Sequence, residues 1–369
     1  MFSVSSAATS ETALSPLADR QDTATVGSLF VRRLFRHLSS TTSDGGGGGR
    51  WCVLCTHTLR RLQLQTKMDW EAFYDAHPSP SNYESIITDV ENFVCSHENE
   101  KMVLITSGGT TVPIEQNTVR FVDNFSLGTR GSASAEYFLA AGYVVIFLYR
   151  SNSLEPFVRH FNNSLLDKLE IVDDKSIQVK QSELETLLPI LKKYKDAKND
   201  DRLLTVPFTT LIEYMWLLRG SCMLMDTKYS MLYLAAAVSD FYIPPSEMAQ
   251  HKVQSNDGPP MIALRLVPKV LYAVTHIWAP NAYKISFKLE TDNSILEQKA
   301  KGALAKYKHQ LVIGNLLQTR KHHVKLIAQN GVIEDILLTE TDTKKGIEIE
   351  DLIVSNVKAK HDQFFESQN

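Results

Sequence analysis

The sequence predicts an α/β fold, Rossmann-like and doubly wound, with a mainly parallel sheet flanked by helices and a late antiparallel hairpin. Three observations carry the prediction. From residue 102 onward, short apolar runs alternate with helical segments, the pattern of parallel crossovers. The runs "MVLIT" and "YVVIFLY" are apolar throughout, as expected of strands covered on both faces. Near the C-terminus, "VKLIAQ" and "VIEDILL" flank Asn330-Gly331, the pattern of a two-residue type I′ hairpin turn.

In chain order, residues 1–67 stand apart. They are rich in Ser, Thr and Ala, contain a five-glycine run, and read as a disordered extension. Arg32, Arg33 and Arg36 beside Leu29, Phe30 and Leu34 suggest a basic amphipathic turn of the mitochondrial-transit kind. The competing reading is an over-long reading frame whose true start is Met68. Residues 68–369 read as one domain. It opens with a helix, a Pro/Ser break and a second helix with Ser81 or Asn82 at its cap. Met102–Thr106 is a buried strand ending in a glycine turn, Ser132–Ala141 a helix closed by Gly142, and Tyr143–Tyr149 the next strand. Strand, long loop, helix and strand together imply a parallel crossover. Leu203–Phe208 then reads as a strand, followed by a helix capped by Thr209 or Thr210 and running through Leu218. Met231–Val238 and "IALRLV" read as strands, Val270–Trp278 as helical, and "YKISFKL" as a strand. Ser294–Tyr307 (helix), "QLVIGN" (strand), the hairpin and a helix over Glu348–His361 complete the chain.

Composition excludes several classes. With 43% hydrophobic and 22% charged residues the chain can build an ordinary core. A net charge of −3 gives no electrostatic case for nucleic acid or a membrane surface. No apolar run approaches the roughly 18–20 residues of a membrane helix. Four cysteines (Cys52, Cys55, Cys95 and Cys222) are too sparse for a disulfide framework and fit a reducing, cytoplasmic setting. Cys52 and Cys55 form a CxxC, but no second ligand pair follows, so a zinc site is not expected.

In an open α/β sheet, ligands bind beyond the carboxyl ends of the strands. The informative residues are therefore those just after each apolar run. They are Ser107, Gly108, Gly109 and Thr110, then Ala236, Ala237, Val238, Ser239 and Asp240, then Phe287 and Lys288, then Gly314 and Asn315. The stretch "RFVDNFSLGTRG", residues 120–131, adds Ser126, Gly128 and Gly131 ahead of a helix. It admits three readings: a nucleotide site at a helix N-terminus, a displaced dinucleotide site, or a capped helix start with Ser126 as the cap. Glycines there would let backbone N–H groups approach a phosphate, or would only turn the chain. The dinucleotide reading lacks GxGxxG after the first strand and an acid after the second, where Arg150 stands instead. Arg150 keeps an NADP-dependent reductase open, with Tyr194 and Lys198 as a formal Tyr-x-x-x-Lys pair in a heavily charged segment. No P-loop and no HExxH occurs. Asp240 is a helix cap or a ligand hook. The small residues Ala235 to Ala237 permit close approach of a ligand or of a neighbouring helix.

Together, "LITSGGTTVPIE", "VRFVDNFSLGTRGSASAEYFLAAGY", "LYLAAAVSDFYIP", "EMAQHKVQS", "ISFKLETD" and "VIGNLL" resemble eukaryotic phosphopantothenoylcysteine synthetase, in that family's order and from about residue 70 to the end. The resemblance implies an NTP-dependent ligase using ATP or CTP with Mg²⁺. Its substrates would be 4′-phosphopantothenate and L-cysteine, joined through an acyl-nucleotide, and the enzyme would be a homodimer. It implies that Gly108, Ser126, Gly128 and Gly131 bind the nucleotide phosphates, Phe287 and Asn315 line the nucleoside pocket, and Lys252 meets the triphosphate. Asn124 would hold the reacting carboxyl, and Ala236, Ala237 and Asp240 would hold phosphopantothenate. Arg120 would reach the partner protomer's substrate, and Lys288 would be a further phosphate cation. Two departures stand out: Leu127 where the family carries a second serine, and Gly314 where alanine is common. A catalytically silent nucleotide-binding module is the alternative that Leu127 favours.

Overall fold

The structure, a computed structural model, describes residues 69–161, 165–254, 256 and 258–368. The expectations for residues 1–67, the disordered extension, the transit signal and the CxxC, lie outside the described residues. Eight strands form the central sheet: β1 (Met102–Ser107), β2 (Val144–Arg150), β3 (Leu203–Phe208), β4 (Ser230–Leu234), β5 (Tyr283–Glu290), β6 (Leu311–Leu316), β7 (His323–Ala328) and β8 (Ile333–Leu337). Their spatial order is β8-β7-β6-β5-β4-β1-β2-β3. The first six are parallel, and β7 and β8 add antiparallel at one edge. The order 3-2-1-4-5-6 reverses direction between β1 and β4, the switch point at which such sheets open a crevice.

Side chains alternate across the strands, so each strand feeds two cores. Leu104, Ile146, Leu148 and Leu232 face one side, with α1 (residues 69–76), α2 (Tyr83–Ser96) and α5 (Leu211–Leu224). Val103, Ile105, Val145, Phe147, Met231 and Tyr233 face the other, with α3 (Thr129–Ala140) and α8 (Ile349–Ser367). All six residues of β1 and the first five of β2 are buried, which explains their uninterrupted apolar runs. Each large side chain so buried contributes about 1.5–3 kcal/mol.

The helix boundaries follow local chemistry. Gly142 (φ +91°) ends α3, where the bonds Gly142 N–H to Leu139 O (3.1 Å) and Tyr143 N–H to Phe138 O (3.0 Å) form a Schellman motif. Thr210 and Glu213 form a capping box at the start of α5, which runs on to Leu224 rather than stopping at Leu218. Asn82 sits at the N-cap of α2, but no side chain caps that helix.

Other expectations are corrected. Asn330-Gly331 is not a type I′ turn. Ala328 and Val332 close a three-residue loop in which Gly331 alone takes a positive φ (+88°), while Asn330 does not and its Oδ1 accepts from Val332 N–H (3.1 Å). The strand read over Met231–Val238 stops at Leu234. "IALRLV" contributes only Arg265–Leu266, paired with Phe241–Tyr242 away from the main sheet. Val270–Trp278 is a single α turn, Leu271–Ala273, running into a π turn over Val274–Trp278. Not anticipated were two hairpins (Thr111–Pro113 with Phe121–Asp123, and Leu169–Asp173 with Ser176–Val179) and the helix α4 (Gln181–Asn199). That helix buries only Leu187 and Ala197, so it carries little apolar periodicity. Asn293–Tyr307 (α6) and Glu340–Lys344 (α7) complete the helices labelled here.

Candidate active site

The crevice between β1 and β4 is stitched by backbone. Beyond the strand ends Gly109 pairs in parallel with Ala237. Ala237 N–H donates to Gly108 O (2.8 Å), and Thr110 N–H to Ala237 O (3.1 Å). Two buried hydroxyls extend the seam: Thr106 Oγ1 accepts from Ala236 N–H (3.1 Å), and Thr110 Oγ1 from Ser239 N–H (2.9 Å). Sequence reasoning placed Thr110 on the rim without giving its hydroxyl a role, and missed Thr106, whose only sign was a polar residue closing an apolar strand. The seam brings Ala236 and Ala237 beside Gly108. Asn124 joins them through its N–H on Thr110 O (3.2 Å). Asn124 and Asp240 then line one cleft of about 180 Å³ with Val112, Val122, Ser239, Phe241 and Leu264. Asp240 caps no helix; its carboxylate pairs with Lys269, and both side chains are more than half exposed, so the pair adds little stability.

The glycines have a packing reason besides any ligand. A Cβ on Gly109 would lie 1.7 Å from Asn124 O, and one on Gly131 would lie 2.5 Å from Ser107 Cβ. Gly108 and Gly128 hold positive φ (+83° and +78°) and would meet Arg150 Cβ at 2.5 Å and Ser107 Oγ at 2.9 Å. Helix α3 therefore sits hard against the end of β1, and the segment carrying Asn124 sits hard against Gly109. Gly128, not Ser126, is the N-cap of α3, which begins at Thr129 rather than Ser132. No side chain caps it, so its first N–H groups are available to an anion. Ser126 Oγ accepts only a long bond from Gly128 N–H (3.4 Å). Leu127 is 60% exposed, and its carbonyl accepts from Leu154 N–H (2.9 Å). Ser153, not foreseen, places a hydroxyl between Gly108 and Gly128 that is sealed from solvent and has no hydrogen-bond partner among the described residues.

On the other side of the switch point lie the next strand ends. Phe287 pairs with Ile313 and Lys288 with Gly314 in the β5/β6 register. Phe287 packs edge-on to Tyr233, with ring centroids 4.9 Å apart. Lys288 is engaged by Glu290 (3.2 Å), which also holds Lys299 (2.9 Å). Hydrogen bonds from Lys299, then Lys288, hold the Glu290 carboxyl below its usual range despite partial desolvation. Asn315 is buried (5% exposed).

Arg120 occupies the arm formed by the Thr111–Pro113/Phe121–Asp123 hairpin. Its guanidinium folds back within its own chain onto Glu115, whose side chain is fully covered. Arg120 Nε donates to Glu115 Oε1 (2.9 Å) and Arg120 N–H to Oε2 (3.2 Å), while Nη2 also reaches Glu115 and Val253 O (3.2 Å). Burial pushes the Glu115 carboxyl up, but the Arg120 hydrogen bonds outweigh it and hold the group below its ordinary value. The loop at the end of the arm also holds the segment that carries Lys252, through Gln116 N–H to Ala249 O (2.9 Å) and Asn117 N–H to Gln250 O (3.0 Å). Lys252 itself is exposed and has no ion pair among the described residues. The arm leaves Val119, Phe121, Val122 and Phe125 in solvent, Phe125 at 86% exposure.

The residues of the reductase alternative are occupied elsewhere. Arg150 donates to Gly109 O (3.1 Å) and Asp123 (2.7 Å), pinning the arm. Tyr194 packs on Phe157, and Lys198 Nζ donates to Leu203 O (3.0 Å).

Comparison with known proteins bears on the same residues. The DNA/pantothenate metabolism flavoprotein C-terminal domain family matches residues 222–358. The phosphopantothenate–cysteine ligase of Saccharomyces cerevisiae is 41% identical over 317 residues, covering 80% of this chain and 86% of that protein. The human phosphopantothenate–cysteine ligase is 42% identical over 280 residues, covering 74% of this chain and 90% of that protein. A solved structure of a Cab2 mutant in complex with phosphopantothenate-cysteine is similar with a TM-score of 0.75 and 42% identity, covering 81% of this chain and 99% of that one. No helix among the described residues is long and apolar enough to cross a membrane. On these grounds the chain belongs to the phosphopantothenate–cysteine ligase family, enzymes of coenzyme A biosynthesis.

Proposed function

We propose that this protein joins 4′-phosphopantothenate to L-cysteine, driven by ATP or CTP through an acyl-nucleotide, releasing pyrophosphate and NMP. The observation that carries the reading is the seam at the switch point. It seats Asn124 and Asp240 in one cleft, and Gly109, packed on Asn124, and Gly108, packed against Gly128, link that cleft to the N-terminus of α3. A free carboxylate resists attack by an amine and must first become a mixed anhydride. Bringing that carboxylate to an α-phosphate crowds negative charge, which N–H dipoles and cations offset. In this reading the first turn of α3, with Gly108, Ser126, Gly128 and Gly131, takes the phosphates. Phe287 and Asn315 take the nucleoside, and Lys252 and Lys288 add positive charge at the phosphate rim. Asn124 donates to the carboxyl oxygen as it becomes the acyl-nucleotide. Ala236 and Ala237 let phosphopantothenate lie against backbone, and Asp240 accepts from it. Catalysis is then positioning and electrostatics, with no covalent protein intermediate.

Mg²⁺ keeps several waters and binds chiefly through phosphates with one or two carboxylates. The described residues hold no cluster of three His, Cys, Asp or Glu able to cage a metal, so the ion would arrive on the nucleotide. The exposed apolar arm is the surface on which two protomers would meet, and it carries Arg120 toward the partner. Glu115 and Val253 O hold Nε and Nη2 of Arg120, which leaves Nη1, without a partner among the described residues, as the donor that would reach across.

Pyrophosphate release, assayed with ATP or CTP, phosphopantothenate and cysteine, tests the reading. Release should require phosphopantothenate, and amide should form only when cysteine is added. Release indifferent to phosphopantothenate would sink it. Mixing Arg120→Ala with Asn124→Ala protomers should restore some activity if Arg120 acts across the interface, and none if it serves its own chain.

A further inference from the structure

We propose that Arg130 and Glu350 form a positioning pair that fixes the carboxamide of Asn315 as a hydrogen-bond donor toward the nucleotide; this rests on the nucleotide reading given above. Arg130 is the second residue of α3, between Gly128 and Gly131. Its guanidinium is largely covered and spans three other parts of the fold. Nη1 donates to Glu350 Oε1 (2.7 Å) on α8. Nη2 donates to Arg320 O in the β6–β7 connection and to Asn315 Oδ1 (3.4 Å) at the end of β6. Glu350 is itself buried, and a carboxylate there needs a fixed cation. Only a planar, multiply donating fork can serve three acceptors on three elements at once; a lysine ammonium on a flexible stem cannot hold that geometry.

The consequence falls on Asn315. Its Oδ1 faces Arg130, and one Nδ2 proton goes to Ile313 O (3.2 Å). The other Nδ2 proton has no partner among the described residues. With the amide locked this way round, Asn315 offers the nucleotide a donor and no acceptor. It would meet a ring nitrogen or carbonyl of the base, or a ribose oxygen. Arg130 thereby ties the phosphate side of the pocket, at the start of α3, to the nucleoside side, at the end of β6.

The test measures equilibrium binding of an α,β-methylene NTP by calorimetry and steady-state KM for each substrate on the full chain. Arg130→Lys should raise the nucleotide Kd and KM about tenfold, the worth of one well-placed hydrogen bond. The KM for phosphopantothenate and for cysteine should stay within about twofold. Adding Arg130→Lys to Asn315→Ala should cost no further nucleotide affinity, because the arginine acts through the asparagine. Multiplying effects, or an equal loss for all three substrates, would overturn the proposal. Asn315→Asp keeps an acceptor for Arg130 and removes the donor, so it decides the matter even if Arg130→Lys does not fold. It should bind the analogue at least about tenfold more weakly, and because the bond to Ile313 O goes with the donor it should also lower the melting temperature by a few degrees; unchanged binding would overturn the proposal. If the wild type binds the analogue but releases no pyrophosphate with phosphopantothenate, the ligase reading is at fault and this pair is judged on binding alone.

Discussion

Gly109→Ala separates a phosphate-binding glycine from a glycine that seats Asn124. Gly109 does not hold a positive φ, so alanine is sterically permitted by its own backbone. The obstacle is the 1.7 Å between the new Cβ and Asn124 O, with Asn124 C at 2.9 Å. Real Cβ contacts stay above 3.0 Å, so the Asn124 backbone must retreat by 3.0 − 1.7 = 1.3 Å or more. Both clashing atoms are backbone, and no rotamer change relieves them. The retreat strains the 3.2 Å bond from Asn124 N–H to Thr110 O and the seam behind it. Overpacking of this kind costs about 1–3 kcal/mol, against which alanine's lower unfolded-state entropy returns about 0.4–1 kcal/mol. The net loss should lower Tm by several degrees. The catalytic effect is larger, since a misplacement of about 1 Å costs about 100-fold. We expect kcat to fall about 100-fold while binding of the α,β-methylene NTP changes less than threefold. Calorimetry for binding, pyrophosphate release for turnover and a thermal melt for stability check this. Loss of nucleotide binding with kcat preserved would show that Gly109 serves the phosphates, and a variant like wild type in all three would refute the packing argument.

Other outcomes follow from the same structure. Asn124→Ala should leave the melting temperature within about 2 °C and abolish amide formation, because its structural bond uses backbone; retained turnover would remove Asn124 from the site. Leu127→Ser changes an exposed side chain, so stability should move by less than about 0.5 kcal/mol while the nucleotide KM falls; a rise in KM would show that no phosphate contact was missing at that position. Burial depresses His309 and His361 to about 4, Lys284 adding to the first and Lys101 to the second. A depressed folded pKa means the unfolded chain binds the extra protons. The stability these neutral rings contribute is therefore present above about pH 6.5 and lost as pH falls toward 4. Each adds up to about 1.4 kcal/mol per pH unit in that window. His309→Gln should flatten the acid limb of a Tm-versus-pH curve, and an unaltered limb would count against it.

Much of this was legible before any coordinates. Buried parallel strands announce themselves by continuous apolar runs, Gly142 by its place after a helical pattern, and the start of α5 by Thr209 and Thr210, between which the structure chose. What misled was chemistry that depends on distant partners. Asn330-Gly331 suits a type I′ turn, yet the strand register closes one residue wider and only Gly331 needs the left-handed region. Ala235 to Val238 looks like strand, but it leaves the sheet to pair across the switch point. The helix α4 escaped notice because it buries too little to show periodicity.

The same division holds at the site. The sequence by itself determined which residues stand at strand ends, because apolar runs mark the strands and a doubly wound sheet puts its ligands beyond them. It also determined the family, through several separate motifs in one order. Only the tertiary structure decided why the glycines are glycines: two backbones, far apart in sequence, approach more closely than a Cβ allows. Only it decided that Arg120 rests on a covered Glu115, that Arg150 pins the arm, and that Arg130 reaches Asn315 from 185 residues away. Hydrogen bonds and steric contacts of that kind are set by where the chain returns in space, and no local pattern encodes the return.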